Sequence, residues 1–232
     1  RWLTTQTAYK KIKQTPEMRD MIRIEEITGL VLAGGRGMRM GQVNKGLQLL
    51  KTEPMVAHVL RRLRPQVGQI VINVDQDLER YAEFSCPLVC ALIPDYAGPL
   101  AGLHAGLSIC TTPYIVTAPC DSPFLPDNLV EHLATALTRE QAQLAVAITV
   151  APENQFQDAQ HRTNAKWQQQ AVFCLLKTDI QSHLDLFLKR GGRKVSDWYA
   201  DLKIVEVAFE NAADFRNINT CAELAETTLD TH

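Results

Sequence analysis

The stretch from Ile27 to Leu50, "ITGLVLAGGRGMRMGQVNKGLQLL", joins an apolar run to a continuation rich in glycine and cations. Glycine has no Cβ, so backbone N–H groups in such a loop can approach phosphate oxygens closely. Arg39 could bind a phosphate through paired hydrogen bonds, and Lys45 could act on it as a point charge. The segment fits neither G-x-G-x-x-G nor the Walker pattern. It predicts either a polyphosphate-binding loop or an ordinary glycine-rich turn with solvated cations.

A carboxylate follows a second apolar run. Asp121 lies in "APCDSPFLP", directly after "YIVTAP" and within a proline-rich turn. A carboxylate held there suits a Mg²⁺ ligand. The alternative is an aspartate that only stabilises the turn or caps a helix.

A second glycine-rich stretch, "DYAGPLAGLHAGL", runs from Asp95 to Leu107. Gly98 and Gly102 flank the predicted start of a helix, where they could bring the backbone close to a ligand. Close packing of the helix on a strand is the other interpretation, and it suits Gly102 and Gly106 better than Gly98.

Two later segments carry polar residues that could meet a second substrate. "FLKRGGRKVSDWY" surrounds a Gly-Gly turn with the cations Lys189, Arg190, Arg193 and Lys194. These could hold a phosphorylated substrate, or they could be the usual cations of a helix C-terminus. "FRNINTCAEL" predicts an extended segment that enters a helix capped by Thr220, with Asn217 and Asn219 as turn formers or ligands.

The elements that must position these residues alternate along the chain. Buried strands are predicted at "ITGLVL", "QIVINV", "LVCALI" and "YIVTAP", and helices at "PMVAHVLRRLR", "GPLAGLHAGLSIC" and "PDNLVEHLATAL", the last beginning at Pro126. Further strands are predicted at "QLAVAITV", "AVFCLLK" and "KIVEVAF", and a helix at "SHLDLFLKR". The polar stretch "APENQFQDAQHRTNAKWQQQ" predicts a long loop. The pattern indicates an α/β fold, a Rossmann-like doubly wound, mostly parallel sheet with helices on both faces.

In such folds, ligands bind outside the carboxyl ends of the strands. Four candidate positions fall at strand ends, namely the Gly34 loop, Asn73, Asp95 and Asp121. The alternation of strands and helices does not by itself require a polar residue at four strand ends. These residues therefore favour a ligand site at this edge of the sheet.

Composition narrows the class of protein. The chain has 232 residues, 46% of them hydrophobic, and a net charge of −2, so nucleic acid and anionic membranes are not expected partners. No apolar run approaches the roughly 20 residues of a membrane span. The six cysteines are scattered, which indicates buried free thiols in a reducing cytoplasm. The six histidines form no pair at metal-ligand spacing, and we assign none of them a catalytic role. We expect residues 23–232 to form a single domain, preceded by an extension or added segment over residues 1–22.

Taken together, "LVLAGGRGMRMG", "NKGL", "DYAGPLAGL", "PCDSPFLP" and "FRNINT" resemble the MobA family of molybdenum cofactor guanylyltransferases, from about Ile27 to Glu226. The resemblance implies a nucleotidyltransferase fold and a GTP-binding enzyme. It would join GTP to the phosphate of molybdopterin, release pyrophosphate and use Mg²⁺. The pterin phosphate would attack the α-phosphorus of GTP in line, with no covalent nucleophile on the protein. A monomer is expected, with passing contacts to other proteins of cofactor biosynthesis or to acceptor enzymes.

The resemblance also implies roles for individual residues. Catalytic roles are implied for Lys45 and for Asp121, which would be the metal ligand, and the cations of the glycine-rich segment add Arg39 as a third catalytic residue. Nucleotide contacts are implied for Leu32, Ala33, Gly34, Lys45, Asn73, Asp95 and Asp121, and the motifs described above add Gly35 and Gly98. Pterin contacts are implied for Arg193, Lys194 and Asn219, with Asn217 beside them. The chain departs from the family at Asn44, where Asp is usual, and at "WQQQ", where a histidine or proline is usual.

Two other classes of function stay open. A cytidylyltransferase for the same pterin or a sugar-phosphate nucleotidylyltransferase would share the fold, but these enzymes usually carry "LAAG" where this chain has "LAGG" from Leu32 to Gly35. A nucleotide-binding module without catalysis is the other alternative, and the presence of Lys45 and Asp121 argues against it.

Overall fold

The computed structural model describes residues 21–34, 44–91, 98–150, 167–218 and residue 223. The strands are β1 (Ile27–Leu32), β2 (Leu49–Leu50), β3 (Glu53–Pro54), β4 (Gln69–Asn73), β5 (Leu88–Val89), β6 (Tyr114–Pro119), β7 (Leu144–Val150), β8 (Trp167–Lys177) and β9 (Ile204–Phe209). The α-helices are α1 (Met55–Leu63), α2 (Leu78–Ala82), α3 (Pro99–Ile109), α4 (Leu129–Arg139), α5 (Gln181–Lys189) and α6 (Val195–Tyr199). Arg39, Gly35, Asp95, Asn219 and the predicted Thr220 cap lie outside the described residues.

Seven strands form one sheet in the order β5-β4-β1-β6-β8-β7-β9, and β2 and β3 form a separate hairpin. The neighbours β5, β4, β1 and β6 run parallel. Strand β8 is antiparallel to both β6 and β7, while β7 and β9 are parallel. The predicted mostly parallel, doubly wound sheet is therefore confirmed.

The alternation of side chains along β1 explains why helices cover both faces. Ile27 and Val31 point into a core with the apolar residues of α1 and α4. Leu30 and Leu32 point into a second core with those of α3 and α5. Because successive strand residues face opposite sides, an entirely apolar strand needs a helix layer on each side.

Three predicted boundaries were wrong. Helix α4 begins at Leu129 rather than at Pro126. Strand β5 is only the two residues Leu88–Val89. The segment Trp167–Gln170, predicted as part of a loop, belongs to β8 and pairs with β7. Helices α2 and α6 and the β2–β3 hairpin were not predicted.

Glycines bring α3 against the sheet. A Cβ on Gly106 would lie 2.5 Å from Leu30 Cδ2, and one on Gly102 would lie 2.4 Å from Asn73 Oδ1. These contacts confirm close packing as the reason for glycine at both positions. Gly98, at the start of α3, has a φ of 136°, a conformation that residues with a side chain rarely adopt.

Two sequence expectations concern the chain as a whole. None of the helices in the described part is both long and apolar enough to cross a lipid bilayer. Each of the five cysteines that the structure describes is a free thiol.

Candidate active site

The three central strands end side by side. In the register of the sheet, Leu32 of β1 pairs with Asn73 of β4 and with Pro119 of β6. The pairing continues past the strand ends, because Ala33 N donates to Asn73 O at 2.9 Å and Cys120 N donates to Leu32 O at 3.1 Å. The chain therefore leaves the sheet at one edge through three adjacent loops, where the predicted site residues Ala33, Asn73 and Asp121 are brought together.

Lys45 and Asp121 form an ion pair at this edge. Lys45 Nζ lies 3.3 Å from Asp121 Oδ2, and the two side chains are 23% and 11% exposed. The backbone carbonyl of Asp121 also accepts a hydrogen bond from Ile218 N at 2.9 Å. The loop after β6 is thus fixed on two sides, and its carboxylate lies next to the Lys45 ammonium group at the strand ends.

Gly34 meets two side-chain oxygens of the loop after β4. A Cβ on Gly34 would lie 2.7 Å from Asn73 Oδ1 and 2.7 Å from Asp75 Oδ2. Both side chains are held in place: Asn73 Nδ2 donates to Val89 O at 3.1 Å, and Asp75 Oδ1 accepts from Ala91 N at 3.4 Å. The absence of a side chain at Gly34 therefore lets two hydrogen-bond acceptors lie close to the backbone at the end of β1.

Asp75 and Tyr81 belong to the site but were not predicted. Asp75 follows Asn73 by two residues in the same loop, which was a signal available in the sequence. Tyr81 lies in the short helix α2, and its hydroxyl donates to Asn44 Oδ1 next to Lys45. The sequence contained no signal for that contact, because 37 residues separate the two partners.

Cys120 is the buried neighbour of Asp121. Burial, together with the negative charge of Asp121, raises the pKa of its thiol to about 12. A thiol with this pKa stays protonated at neutral pH, so Cys120 packs as an apolar side chain and is not a nucleophile.

The residues predicted for the pterin side fall into two groups. Asn217 lies near Asp121, because its Oδ1 accepts a hydrogen bond from Ser122 Oγ. Arg193 and Lys194 lie in the turn between α5 and α6, where Arg193 Nη1 donates to Gly192 O at 2.7 Å. Gly191, with a φ of 90°, ends α5, so the glycines of this turn terminate a helix as the alternative interpretation predicted.

The helix that follows this turn packs near the end of β1. Val195 and Trp198 of α6 line one small pocket together with Leu32 and Pro99. Lys194 precedes α6 directly, and its Nζ is 3.7 Å from Asp197 Oδ1. Helix α6 therefore connects the basic turn to the end of β1 and the start of α3.

The donor set suits a magnesium ion that is shared with a substrate. Among the described residues, no group of three or more His, Cys, Asp or Glu side chains is arranged to hold a metal. Proteins usually bind Mg²⁺ through one or two carboxylates, with substrate phosphates and water as the remaining ligands. The single carboxylate of Asp121, next to the cation of Lys45, fits that arrangement and not an all-protein cage.

Fold and site together define a class. A mostly parallel sheet whose strand ends present a glycine, a lysine and a carboxylate is typical of enzymes that act on nucleotide phosphates. The family model of the MobA-like NTP transferase domain matches residues 29–202, and the chain belongs to this family of nucleotidyltransferases.

Curated relatives cover nearly all of the domain. The chain is 48% identical to the molybdenum cofactor guanylyltransferase of Ralstonia nicotianae over 206 residues, which are 89% of this chain and 98% of that protein. It is 47% identical to the protein of the same name from Cupriavidus taiwanensis, over 88% of this chain and 97% of that one.

Solved structures share the fold at low sequence identity. Molybdopterin-guanine dinucleotide biosynthesis protein A from Archaeoglobus fulgidus superposes with a TM-score of 0.64 at 20% identity, over 88% of this chain and 97% of that one. A CMP:2-keto-3-deoxy-manno-octonic acid synthetase in complex with CTP superposes with a TM-score of 0.68 at 12% identity, over 88% and 96%. The same fold thus serves different nucleotides, and the fold alone does not select the base.

Proposed function

We propose that this chain transfers GMP from GTP to the terminal phosphate of molybdopterin, forming a guanine dinucleotide cofactor and pyrophosphate. The observation that carries the proposal is the Lys45–Asp121 pair, held at 3.3 Å where Asp121 follows β6, the parallel neighbour of β1. The high identity to relatives named molybdenum cofactor guanylyltransferase supports the choice of substrates.

The reaction replaces one phosphoanhydride bond by another. A phosphate oxygen of the pterin forms a bond to the α-phosphorus of GTP, and the bond from that phosphorus to the bridging oxygen breaks with release of pyrophosphate. Negative charge grows on the leaving pyrophosphate as the bond breaks. Lys45 donates hydrogen bonds to the phosphate oxygens and offsets this charge, since preorganised cations stabilise such transition states most strongly.

Asp121 holds the metal in this proposal. Mg²⁺ supplies positive charge to the phosphates when it is bound there. The carboxylate remains paired with Lys45 at hydrogen-bonding distance, so two positive groups would share one partly buried anion. Arg39, which lies between Gly34 and Asn44 in the sequence, would add a further cation on the phosphate side.

The base would be bound next to Gly34. Guanine offers donors at N1 and at its N2 amino group, and adenine offers no matching pair on that edge. Asn73 and Asp75 place two oxygen acceptors at Gly34, which favours guanine over adenine. Leu32, Ala33, Gly35, Asp95 and Gly98 would complete the nucleotide pocket.

The pterin would be bound on the side of Asp121 that lies away from the base at Gly34. Asn217 accepts a hydrogen bond from Ser122, the residue after Asp121, and Asn219 follows Asn217 by two residues. Arg193 and Lys194 would reach the phosphate of the pterin from the turn before α6. We further propose that the chain acts as a monomer in the cytoplasm, where its free thiols remain reduced.

The test is pyrophosphate release in the presence of Mg²⁺ and GTP, with and without molybdopterin. Release that depends on the pterin supports the proposal. Tight GTP binding without pterin-dependent release would identify a nucleotide-binding module instead.

A further inference from the structure

Asn44 joins two side chains of the segment after β4. Its Oδ1 accepts a hydrogen bond from Tyr81 OH at 2.7 Å, and its Nδ2 donates to Asp77 Oδ2 at 3.1 Å. A carboxylate only accepts hydrogen bonds, so Asp77 requires the NH₂ group of the amide, and the phenol can then donate to the amide oxygen. Both ends of the Asn44 side chain are therefore used.

The Tyr81 hydroxyl also touches the residue on the other side of Lys45. A Cβ on Gly46 would lie 2.5 Å from Tyr81 OH and 3.0 Å from Cys120 Sγ. Gly46 is thus enclosed between the phenol and the residue that precedes Asp121. One hydroxyl group fixes both chain neighbours of Lys45.

The phenol is a rigid and permanent donor. Tyr81 is fully buried in the core on the α1 side of the sheet and packs against Phe84 with 6.1 Å between ring centroids. Burial raises the pKa of Tyr81 well above its usual range, so the hydroxyl keeps its proton. A buried aromatic ring has little freedom to shift, so the contacts at its hydroxyl are held in one place.

We infer that Tyr81, Asn44 and Asp77 form a clamp that positions the Lys45 ammonium group at Asp121, and that position 44 carries an amide because it faces the Asp77 carboxylate. All three are positioning residues that act through Lys45. The inference rests on the proposed function, because it takes Lys45 as the group that contacts the nucleotide phosphates. An aspartate at position 44 would place two carboxylates at hydrogen-bonding distance and would lose the donor that Asp77 uses.

The first experiment exchanges the amide of Asn44 and the carboxylate of Asp77. Asn44→Asp should lower kcat/KM for GTP by about tenfold, since it removes the donor to Asp77 and places two carboxylates at hydrogen-bonding distance next to Lys45. Adding Asp77→Asn to that variant restores one donor and one acceptor and should return kcat/KM to within about threefold of the wild type. The matched control adds Glu79→Gln to Asn44→Asp instead, which removes a negative charge from an exposed residue of α2 two positions after Asp77. Rescue by Glu79→Gln as strong as by Asp77→Asn would show a general charge effect and would overturn the pairing.

The second experiment asks whether the clamp acts through Lys45. Asn44→Asp and Tyr81→Phe are each combined with Lys45→Ala. We expect each effect on kcat/KM to shrink to less than about twofold when Lys45 is absent, because residues that act through one partner are not additive. Equal factors in both backgrounds would mean a structural role and would contradict the clamp. Melting temperatures of all variants are measured alongside, and Tyr81→Phe supplies the cycle if Asn44→Asp does not fold.

The two proposals fail in different ways. If the wild-type protein does not transfer GMP, the proposed function is wrong, and the same cycles are then run on the affinity for Mg-GTP. If the wild type is active but the cycles are additive, only the clamp is wrong.

Discussion

A methyl group on Gly34 would lie 2.7 Å from Oδ1 of Asn73, closer than real Cβ atoms approach an oxygen. The amide cannot easily move away, because its nitrogen donates to the carbonyl of Val89. Gly34 and Asn73 thus form a contact at the ends of β1 and β4 that depends on the absence of a side chain.

We therefore expect Gly34→Ala to weaken GTP use and to narrow the preference for GTP over ATP. The substitution pushes on Asn73 and Asp75, and each hydrogen bond lost to the base costs about 1–3 kcal/mol. The measurement is the ratio of kcat/KM for the two nucleotides. Gly106→Ala is the control, because its Cβ would meet Leu30 in the core; stability should fall there while the ratio stays the same. Full GTP selectivity in Gly34→Ala would show that neither Gly34 nor its contact with Asn73 selects the base, and Asp95 would be the next candidate.

Asp121→Asn should abolish most of the turnover and leave the fold intact. The variant keeps the size of the side chain but removes the charge that pairs with Lys45 and would hold Mg²⁺. An electrostatic contact in the transition state is worth about 2.7–4 kcal/mol, so we expect a loss of about 100-fold or more. Asp127→Asn is the control, since Asp127 pairs with Arg62 at the protein surface. Unchanged activity of Asp121→Asn at saturating Mg²⁺ would rule out the metal-ligand role.

Arg193 and Lys194 are tested as a pair. Replacing both by alanine should raise KM for molybdopterin and leave KM for GTP unchanged, because two cations facing the pterin phosphate would be lost. Lys189→Ala with Arg190→Ala removes two cations at the end of α5 and is the matched control. Equal weakening for both substrates would assign the turn to the nucleotide side, and no change in either would leave these residues as helix-end cations.

Cys120 provides a test through its thiol. Its pKa of about 12 exceeds the value of 9.0 for an unperturbed thiol, so the folded protein keeps a proton that the unfolded chain loses between these pH values. This contribution to stability is fully present below pH 9.0 and declines as pH rises through the window to about 12. Chemical denaturation at a series of pH values should show a steeper decline in the free energy of unfolding for the wild type than for Cys120→Ala.

The burial of Cys120 is also tested by labelling. Iodoacetamide at pH 8 should label the exposed Cys90 and spare Cys120 in the folded protein. Equal labelling of both would contradict a buried thiol.

The sequence predicted those elements whose signals are local. Helix α1 was found because Val56, Val59, Leu60 and Leu63 share one face, and all four are buried in the structure. The start of α4 was missed because Pro126 serves a tertiary contact: its carbonyl accepts Gln66 Nε2 at 2.9 Å in the turn before the helix. Strand β8 was predicted too short because its first residues are polar, and Gln170 is held by a cross-strand hydrogen bond to Thr149.

The site residues likewise divide into those with a local sequence signal and those set by tertiary contacts. Asp121, Lys45 and Asn73 were predicted because strand ends and motif spacing are visible in one dimension. The amide at position 44 was seen only as a departure from the family. Its reason depends on Tyr81 and Asp77, which lie more than 30 residues away, and no local pattern reports such contacts.

The central claim is tested most directly by following the α-phosphate. The protein is incubated with Mg²⁺, molybdopterin and GTP, CTP or ATP, each labelled at the α-phosphorus, and the pterin product is separated and counted. We predict that the amount of label from GTP in the pterin product equals the amount of pyrophosphate released. We also predict that incorporation from GTP exceeds that from ATP or CTP by at least about tenfold. Comparable incorporation from CTP or ATP, or pyrophosphate release without label in the pterin, would contradict the guanylyltransferase assignment.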